Sequence, residues 1–357
     1  MRSALCSALL LGVAAGTAAA QEREVSFQEQ KPVSVTGFAV GLASYDRNLV
    51  RNGAGATKLA LSLFQPWSDN LYFFGQLTTH VAQHDTSPVH TDIEIDNLIV
   101  SWTPPGASAL NVSFGRFDAP IGFERDDEPL NLVPTGSFNF EFARPAKLTG
   151  ALARYAFSPR VTVAVLAANG WDEELDNNTG KTAGARLQLF PARGAAVGLN
   201  ALYGPEEDGT NGNQRTLLTA DATLQPVSRF ILGLEANHGV QRTGGTGLTW
   251  TGVAATAFWR FGRSIGLTVR GEVLDDPDGV TTGAQQTLSS LTISPWYFYR
   301  EAQEGVFSTV ENTTFRLPAF ALRPAVRFDR STQPFFDAAG GPRRTNVTAV
   351  VELVYLF

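Results

Sequence analysis

The sequence of 357 residues contains one cysteine, Cys6. A disulfide-stapled scaffold, a cysteine-based metal cluster and a thiol redox pair are therefore excluded. Charged residues make up 17% of the chain, below the roughly 25% of an ordinary soluble domain. The net charge of −6 argues against a nucleic-acid partner. After residue 20 no apolar run is long enough for a membrane-spanning helix, and amphipathic helical periodicity is scarce.

The first twenty residues have the pattern of a secretory signal peptide. Arg2 supplies a positive start, an apolar stretch follows, and a small-residue cleavage pattern ends at Ala20. A short membrane anchor is the alternative, but the apolar stretch is too short and ends in small residues. We therefore predict that residues 1–20 are removed on export together with Cys6, which leaves residues 21–32 as a periplasmic segment before the first strand.

The rest of the sequence repeatedly alternates apolar and polar residues with a period of two. In the last segment Val351, Leu353 and Tyr355 fall on one face, while Glu352 falls on the other. Such segments are typical of strands of about ten residues with one apolar and one wet face. We count about sixteen of them: 33–45, 57–65, 71–82, 92–102, 109–117, 146–157, 160–170, 181–190, 196–204, 216–225, 229–240, 250–261, 264–274, 287–299, 318–329 and 345–357.

The connections between these segments separate two fold classes. A soluble sandwich also shows period-two alternation, but here short turns such as Gly262-Arg263 alternate with long polar loops. Short turns at one end and long loops at the other are typical of outer-membrane barrels. The connection 300–317 breaks the pattern: its place in the alternation requires a short turn, but it is long and polar. The predicted long loops are 46–56, 83–91, 118–145, 171–180, 205–215, 241–249, 275–286 and 330–344.

We therefore predict an all-β fold, a closed antiparallel transmembrane β-barrel over residues 33–357. Long extracellular loops and short periplasmic turns are expected to join its strands. The sheet must close on itself, because no water inside a bilayer satisfies unpaired backbone groups. About sixteen strands enclose more space than their own side chains fill, so an aqueous channel is expected.

The longest predicted loop, 118–145, is both acidic and apolar. Its acidic residues are Glu124, Asp126, Asp127 and Glu128, and several large apolar side chains accompany them. A loop entirely in solvent would not need those apolar side chains. We predict that the loop folds into the barrel mouth and forms a constriction. A loop lying over the rim or against a neighbouring subunit is the alternative.

Strand parity places a set of basic side chains on the lumen side. If the acidic residues of the loop face this basic wall, a transverse field crosses the constriction and favours polar solutes. The alternative is that some of these side chains simply pair across strands and fill the lumen, as Arg270 and Glu272 would. The predicted basic residues are Lys58, Arg186, Arg260, Arg270, Arg323 and Arg327.

Signals of catalysis and metal binding are poor. The sequence has no nucleophile-elbow, dinucleotide-binding or phosphate-loop motif. Asp92, Glu94 and Asp96 offer oxygen ligands for a divalent cation, but a solvated rim accounts for them as well. We predict that the protein is not an enzyme and has no cofactor and no metal site.

Several stretches carry a resemblance to a known family: Phe114-Gly115-Arg116-Phe117, Ala119-Pro120-Ile121-Gly122-Phe123-Glu124, Leu148-Thr149-Gly150, Asn169-Gly170-Trp171-Asp172 and Leu322-Arg323-Pro324-Ala325-Val326-Arg327-Phe328-Asp329-Arg330-Ser331. They resemble the OmpL-like β-barrel porins of Gram-negative outer membranes. The resemblance implies a porin fold and no particular substrate, because its motifs are structural. The chain end, with Tyr355 and Phe357, resembles the signal that the outer-membrane assembly machinery recognises. Arg116 departs from the pattern, since parity with Phe114 points it towards lipid.

Taken together, these observations predict an outer-membrane porin, a passive diffusion channel for small hydrophilic solutes or ions. The alternatives are a non-conducting structural or adhesive barrel and a secreted β-sandwich binding module. The expected partners are outer-membrane lipid, the assembly machinery and the solutes, with no nucleic acid and with a homotrimer by analogy only. Ion selectivity stays open, because both signs of charge line the predicted lumen.

Overall fold

The computed structural model describes residues 31–82, 90–301 and 313–357. The predicted signal peptide, most of the predicted segment 21–32 and part of the ambiguous connection 300–317 lie outside these residues. The described strands are β1 Ser34–Asp46, β2 Arg51–Pro66, β3 Leu71–Ala82, β4 His90–Trp102, β5 Leu110–Asp118, β6 Lys147–Ser158, β7 Val161–Ala168, β8 Thr182–Ala192, β9 Ala195–Pro205, β10 Gln214–Val227, β11 Phe230–Thr243, β12 Thr246–Arg260, β13 Ile265–Asp276, β14 Gln286–Glu301, β15 Pro318–Ser331 and β16 Thr345–Leu356.

These strands form one closed antiparallel barrel. Each strand pairs with its neighbours in sequence, and β1 pairs with β16, where Phe38 lies opposite Leu356 and Asp46 opposite Thr348. Closure pairs the backbone groups of every strand with those of a neighbour, as a bilayer requires. The prediction of a closed antiparallel barrel with sixteen strands is confirmed, and a two-layer sandwich is excluded.

The alternation in the sequence becomes an alternation between the two faces of the wall. On β13, Val269 and Val273 are 37% and 41% exposed on the outer face, whereas Thr268, Arg270 and Glu272 are at most 5% exposed on the inner face. Apolar side chains thus face outward and polar side chains inward, the reverse of a soluble protein. This arrangement is the one expected of a barrel surrounded by lipid.

The two ends of the barrel differ in their connections. At one end, called here the turn end, most connections are short; at the other, the loop end, several are long. The structure corrects two predicted long loops, since 46–56 and 241–249 contain only the tight connections 47–50 and Gly244-Gly245. Polar residues there continue the strand pairing, for example Arg242 opposite Gly247. The alternation of apolar and polar residues does not reveal these strand ends, because their residues pair in water, where no apolar outer face is needed.

The interior contains two apolar clusters as well as polar side chains. One cluster includes Phe38, Phe258 and Trp296 from inward faces of the wall. The other includes Leu217 and Trp250. Both also contain side chains from the connections, so the connections help to fill the lumen. Helical structure in the described residues is limited to the turns Glu128–Leu130 and Asn139–Ala143, and no helix there is long and apolar enough to cross a membrane.

Candidate channel interior

The connection between β5 and β6, residues 119–146, is called here the inner loop. Its two ends meet where Ala119 N donates to Ala146 O at 2.8 Å. Two tryptophans from inward faces of the wall donate to its backbone: Trp250 Nε1 to Ala143 O and Trp296 Nε1 to Leu132 O, each at 3.0 Å. The structure therefore places the loop that was predicted to fold inward against the inner faces of β12 and β14.

Arg270 makes the densest set of contacts to the inner loop. Its side chain is fully buried, and Nη1 lies 2.5 Å both from Glu124 Oε1 and from Thr135 O, while Nη2 donates to Gly136 O at 2.9 Å. Arg327 also donates to Gly136 O. These arginines satisfy loop carbonyls that would otherwise be buried without partners. They fasten the loop to β13 and β15.

Arg323 holds the preceding part of the inner loop in the same way. Its Nη1 donates to Asn131 O at 2.6 Å and its Nη2 to Glu128 O at 3.0 Å. Nε lies 2.5 Å from Glu352 Oε2 on the neighbouring strand, and the guanidinium carbon lies 4.8 Å from the Trp296 ring centroid. The charge of Arg323 is therefore compensated within the wall by Glu352, and its Nη1 and Nη2 groups position the loop.

A second attachment joins the inner loop to β11. Arg144 Nε lies 2.7 Å from Glu235 Oε1, with both side chains at most 3% exposed. Phe123 N also donates to Glu235, at 2.7 Å. Gly122 has a φ of +77°, and a Cβ there would lie 2.4 Å from Arg144 Nε. Glycine is required at this turn both by the backbone conformation and by the close approach of the guanidinium.

The side chains of the remaining predicted acids of the loop contact residues of β2, β3 and β6. Lys58 Nζ lies 3.0 Å from Glu128 Oε2, and Lys147 Nζ lies 3.2 Å from Asp126 Oδ2. Asp127 accepts from Gln76 Nε2 at 2.7 Å. Burial raises the pKa of the Asp127 carboxyl well above its usual range, and the charge of Asp118 contributes to that rise. Within the described part of the chain, Glu124 forms a salt bridge with Arg270 of β13, whereas the salt bridges of Asp126 and Glu128 are to Lys147 and Lys58.

Arg260 lies apart from the loop acids, at the turn end of β12. Its Nε donates to Gly262 O at 2.9 Å and its Nη2 to Arg263 O at 2.8 Å. The guanidinium carbon lies 4.7 Å from the Phe298 ring centroid. This predicted member of the basic wall thus belongs to a different level of the barrel from Arg270.

Arg116, which parity directs to the outer face, reaches the loop end instead. Its Nη2 lies 3.0 Å from Glu94 Oε1 and its Nη1 3.5 Å from Glu174 Oε1. The pairing of β4 with β5 stops at Leu98 opposite Arg116, so the side chain has space beside the end of the ladder. The preceding Gly115, with a φ of +132°, adopts a conformation that L side chains rarely reach.

A cavity of about 420 Å³ remains on the side of the lumen away from β11–β15. Its lining includes Asp118, Arg125, Arg154, Thr162, Arg186 and Gln188. Arg186 makes a bidentate pair with Asp221, at 2.7 and 2.9 Å, whereas Arg154 has no hydrogen bond or salt bridge in the described part of the chain. Burial and the neighbouring Arg144 lower the pKa of Arg125 to about 10, so it is still cationic at neutral pH.

Of the arginines in this lining, Arg186 was predicted to face the lumen, whereas Arg125 and Arg154 were not among the predicted site residues. A signal for Arg154 was present, because it shares parity with the buried Leu152 on β6. Arg125 had no comparable signal, since it lies among four acids on a loop without periodicity.

The last two predicted residues lie on the outer face at the turn end. Tyr355 and Phe357 are 51% and 48% exposed, and their rings stack with centroids 5.8 Å apart. The backbone of Phe357 exchanges two hydrogen bonds with Gly37, at 2.9 and 3.0 Å. The chain end is thus tied into the closing pair of strands while its aromatic rings face outward.

A closed barrel with an apolar outer face, a loop inside it and a polar cavity defines a channel-type outer-membrane barrel. A model of the family described as "Putative beta-barrel porin-2, OmpL-like" matches residues 71–357. The chain belongs to this porin family, as its sequence predicted. The protein is accordingly an outer-membrane porin, and both family and fold point to a channel rather than to an enzyme.

Solved structures of similar fold include several outer-membrane channels. The channel DcaP of Acinetobacter baumannii is 11% identical, with a TM-score of 0.62 over 91% of this chain and 97% of that one. The anion-selective porin from Comamonas acidovorans is 12% identical, with a TM-score of 0.65 over 91% and 99%. OmpT of Vibrio cholerae, in a trimer form, is 10% identical, with a TM-score of 0.60 over 91% and 99%. Among proteins with curated functions, none matches the chain by sequence.

Proposed function

We propose that the protein is a passive diffusion channel for small hydrophilic solutes whose open route runs between the inner loop and strands β6–β8. The observation that carries this proposal is the polar cavity of about 420 Å³ on that side. The inner loop is fastened to β11, β13 and β15 through Glu235, Arg270 and Arg323. It therefore narrows the lumen from one side and leaves the other side for solute.

We further propose that this route favours small anions. Arg154 lines the cavity, and within the described residues no acidic side chain forms a salt bridge with it. The acid in the lining, Asp118, forms a salt bridge with Lys147 at 2.5 Å, and Lys147 also contacts Asp96 and Asp126. A cation such as Arg154 beside low-dielectric walls attracts anions, because such walls focus its field. The larger cluster of arginines around Arg270 contributes little to this field, because its members are paired with carboxylates.

Charge reversal at Arg154 tests the route and its preference together. Purified wild-type protein should give ohmic conductance in a planar bilayer and a reversal potential of the anion-favouring sign in a KCl gradient. Arg154→Glu should move the reversal potential towards the cation-favouring sign, because it replaces a cation of the cavity lining with an anion. Arg160→Glu is the matched control, since Arg160 is exposed in the next turn outside the cavity lining.

The outcomes of this experiment separate the competing functions. Absence of conductance from folded wild-type protein would reject the channel and favour a structural or adhesive barrel. Equal shifts in Arg154→Glu and in the control would mean that surface charge, and not the cavity, sets the selectivity.

We propose that Tyr355 and Phe357 form the recognition signal for outer-membrane assembly. Their exposed rings lie at the very end of the chain, while the Phe357 backbone is hydrogen-bonded to Gly37 of β1. Phe357→Ser should reduce the amount of protein in isolated outer membranes severalfold. The same variant refolded in detergent should keep its heat-modifiable migration on gels. If membrane levels stay at the wild-type value, the assembly role is rejected.

Two further proposals concern processing and assembly. We infer that residues 1–20 direct export and are then removed, so the intact mass of outer-membrane material should correspond to a chain beginning at Gln21. We also propose a homotrimer, on the analogy of the trimer form of OmpT. Its test is the mass of the detergent-solubilised particle by light scattering.

A further inference from the structure

The residues just before β15 lie inside the barrel and not below its rim. Phe315 is 3% exposed, and its ring centroid lies 4.9 Å from that of Phe258 and 6.4 Å from those of Trp296 and Phe298. These three partners lie on inward faces of β12 and β14 and are at most 4% exposed. Leu317 joins the same apolar cluster. The turn end of the lumen is therefore partly filled by residues 313–317, called here the inner strap.

The inner strap is also bonded to a distant part of the wall. Thr314 donates to Gln225 Oε1 through its backbone N at 2.8 Å and through Oγ1 at 3.0 Å. Gln225 is a buried inward residue of β10, and β10 is separated from β15 by four strands of the closed sheet. A bond between the strap and β10 therefore spans the lumen. It is not a contact between neighbouring strands.

Arg260 completes this arrangement. Its guanidinium carbon lies 4.7 Å from the centroid of Phe298 and 5.8 Å from that of Phe315. Two turn carbonyls, of Gly262 and Arg263, fix the guanidinium in place. Cation–π contact with two rings stabilises the position of the strap, because the guanidinium is attracted to the faces of both rings. The sequence analysis gave Arg260 a place in the pore wall, and here it supports the strap.

The strap and the inner loop cover the same half of the lumen at two levels. Leu132 of the inner loop belongs to the same apolar cluster as Phe315 and Leu317. Cavity-lining residues Arg154 and Gln188 lie on the opposite half. A solute that leaves the cavity towards the turn end must pass between the strap and that opposite wall.

We propose that residues 313–317 form a second constriction of the channel at its turn end, with Phe315 seated in an aromatic cage and Thr314 fastened to Gln225 across the lumen. This inference rests on the proposed channel function. Arg154 of β6 sets the charge of the route, whereas the strap limits its width, because Phe315 adds apolar bulk and the bond between Thr314 and Gln225 joins two neutral side chains. The two constrictions therefore control different properties of permeation.

Two variants test the strap by different means. Phe315→Ala removes the side chain that seats it, and Gln225→Leu removes the acceptor that fastens it while keeping the volume. Single-channel conductance in planar bilayers should rise about twofold or more in each, because a wider constriction conducts more. Liposome swelling should admit larger uncharged sugars. The reversal potential in a KCl gradient should stay at the wild-type value, since Arg154 is untouched.

Phe261→Ala is the matched control, because Phe261 is 59% exposed near the same turn end. Each variant is first checked for heat-modifiable migration, so that only folded barrels are compared. Wild-type conductance in both folded strap variants would overturn the second constriction and leave the proposed channel intact. Conductance that appears in the strap variants but not in wild type would support the strap as a barrier and would reject the open wild-type channel.

Discussion

Replacing Arg270 with alanine should release the inner loop and raise the conductance of the channel. The guanidinium makes contacts to Glu124, Thr135 and Gly136, all inside the barrel. Its removal leaves the Glu124 carboxylate buried without a counter-charge, and such a change costs about 3–5 kcal/mol. The loop then loses its attachment to β13 and moves out of the lumen towards the loop end, which widens the channel. Single-channel recording measures the conductance, and denaturant titration of tryptophan fluorescence measures the stability.

A double variant shows whether stability is lost because Glu124 has no counter-charge or because the arginine side chain is missing. Arg270→Met with Glu124→Gln removes both charges and keeps much of the volume. Replacing both members of a buried pair is often nearly neutral, in contrast to removing one. The double variant should therefore recover most of the stability lost in Arg270→Ala. A stability equal to that of wild type in Arg270→Ala itself would show that the pair does not hold the loop.

The barrel was predictable from the sequence because lipid imposes its alternation directly. Val269 and Val273 face outward and Thr268 faces inward on β13, as the period of two requires. The same rule identified the inward position of Arg186 and Arg323. It failed at Arg116, where the pairing of β4 with β5 ends and the side chain follows its ion pairs. The period-two rule also missed strand ends at the loop end, because polar residues pair there in water, beyond the apolar part of the outer face.

The partners of the inward residues were not predictable, because parity gives a face and not a neighbour across the lumen. Arg270 and Glu124 are separated by 146 positions, and only the path of the inner loop brings them together. The sequence therefore suggested an open gap between basic and acidic walls. In the structure Arg270 and Glu124 form a direct pair. Arg154 lines the cavity and forms no salt bridge within the described residues, and its role depends on the inner loop lying on the other side of the lumen.

An arginine in place of Val269 should destabilise the barrel strongly. Val269 lies on the outer face near the middle of β13, between Ile265 towards the turn end and Asp275 towards the loop end. A charge at the bilayer midplane of such a barrel costs about 2–4 kcal/mol, because the guanidinium loses water there and gains no partner. The neighbours across β12 and β14 are Ala257 and Ile293, which offer no hydrogen bond. Reversible unfolding in lipid vesicles measures the change.

The same substitution at a different depth shows whether lipid is the cause. Val227 is 53% exposed at the turn end of β10, where an arginine costs only about 0–1 kcal/mol because its side chain reaches the interface. Val227→Arg should therefore stay close to wild type while Val269→Arg falls well below it. Equal losses would point to a general effect of the side chain on strand pairing. A loss of stability that depends on the depth of the arginine requires an apolar layer around the barrel. The polar face of every strand must then turn away from that layer, so the interior of the barrel is hydrated.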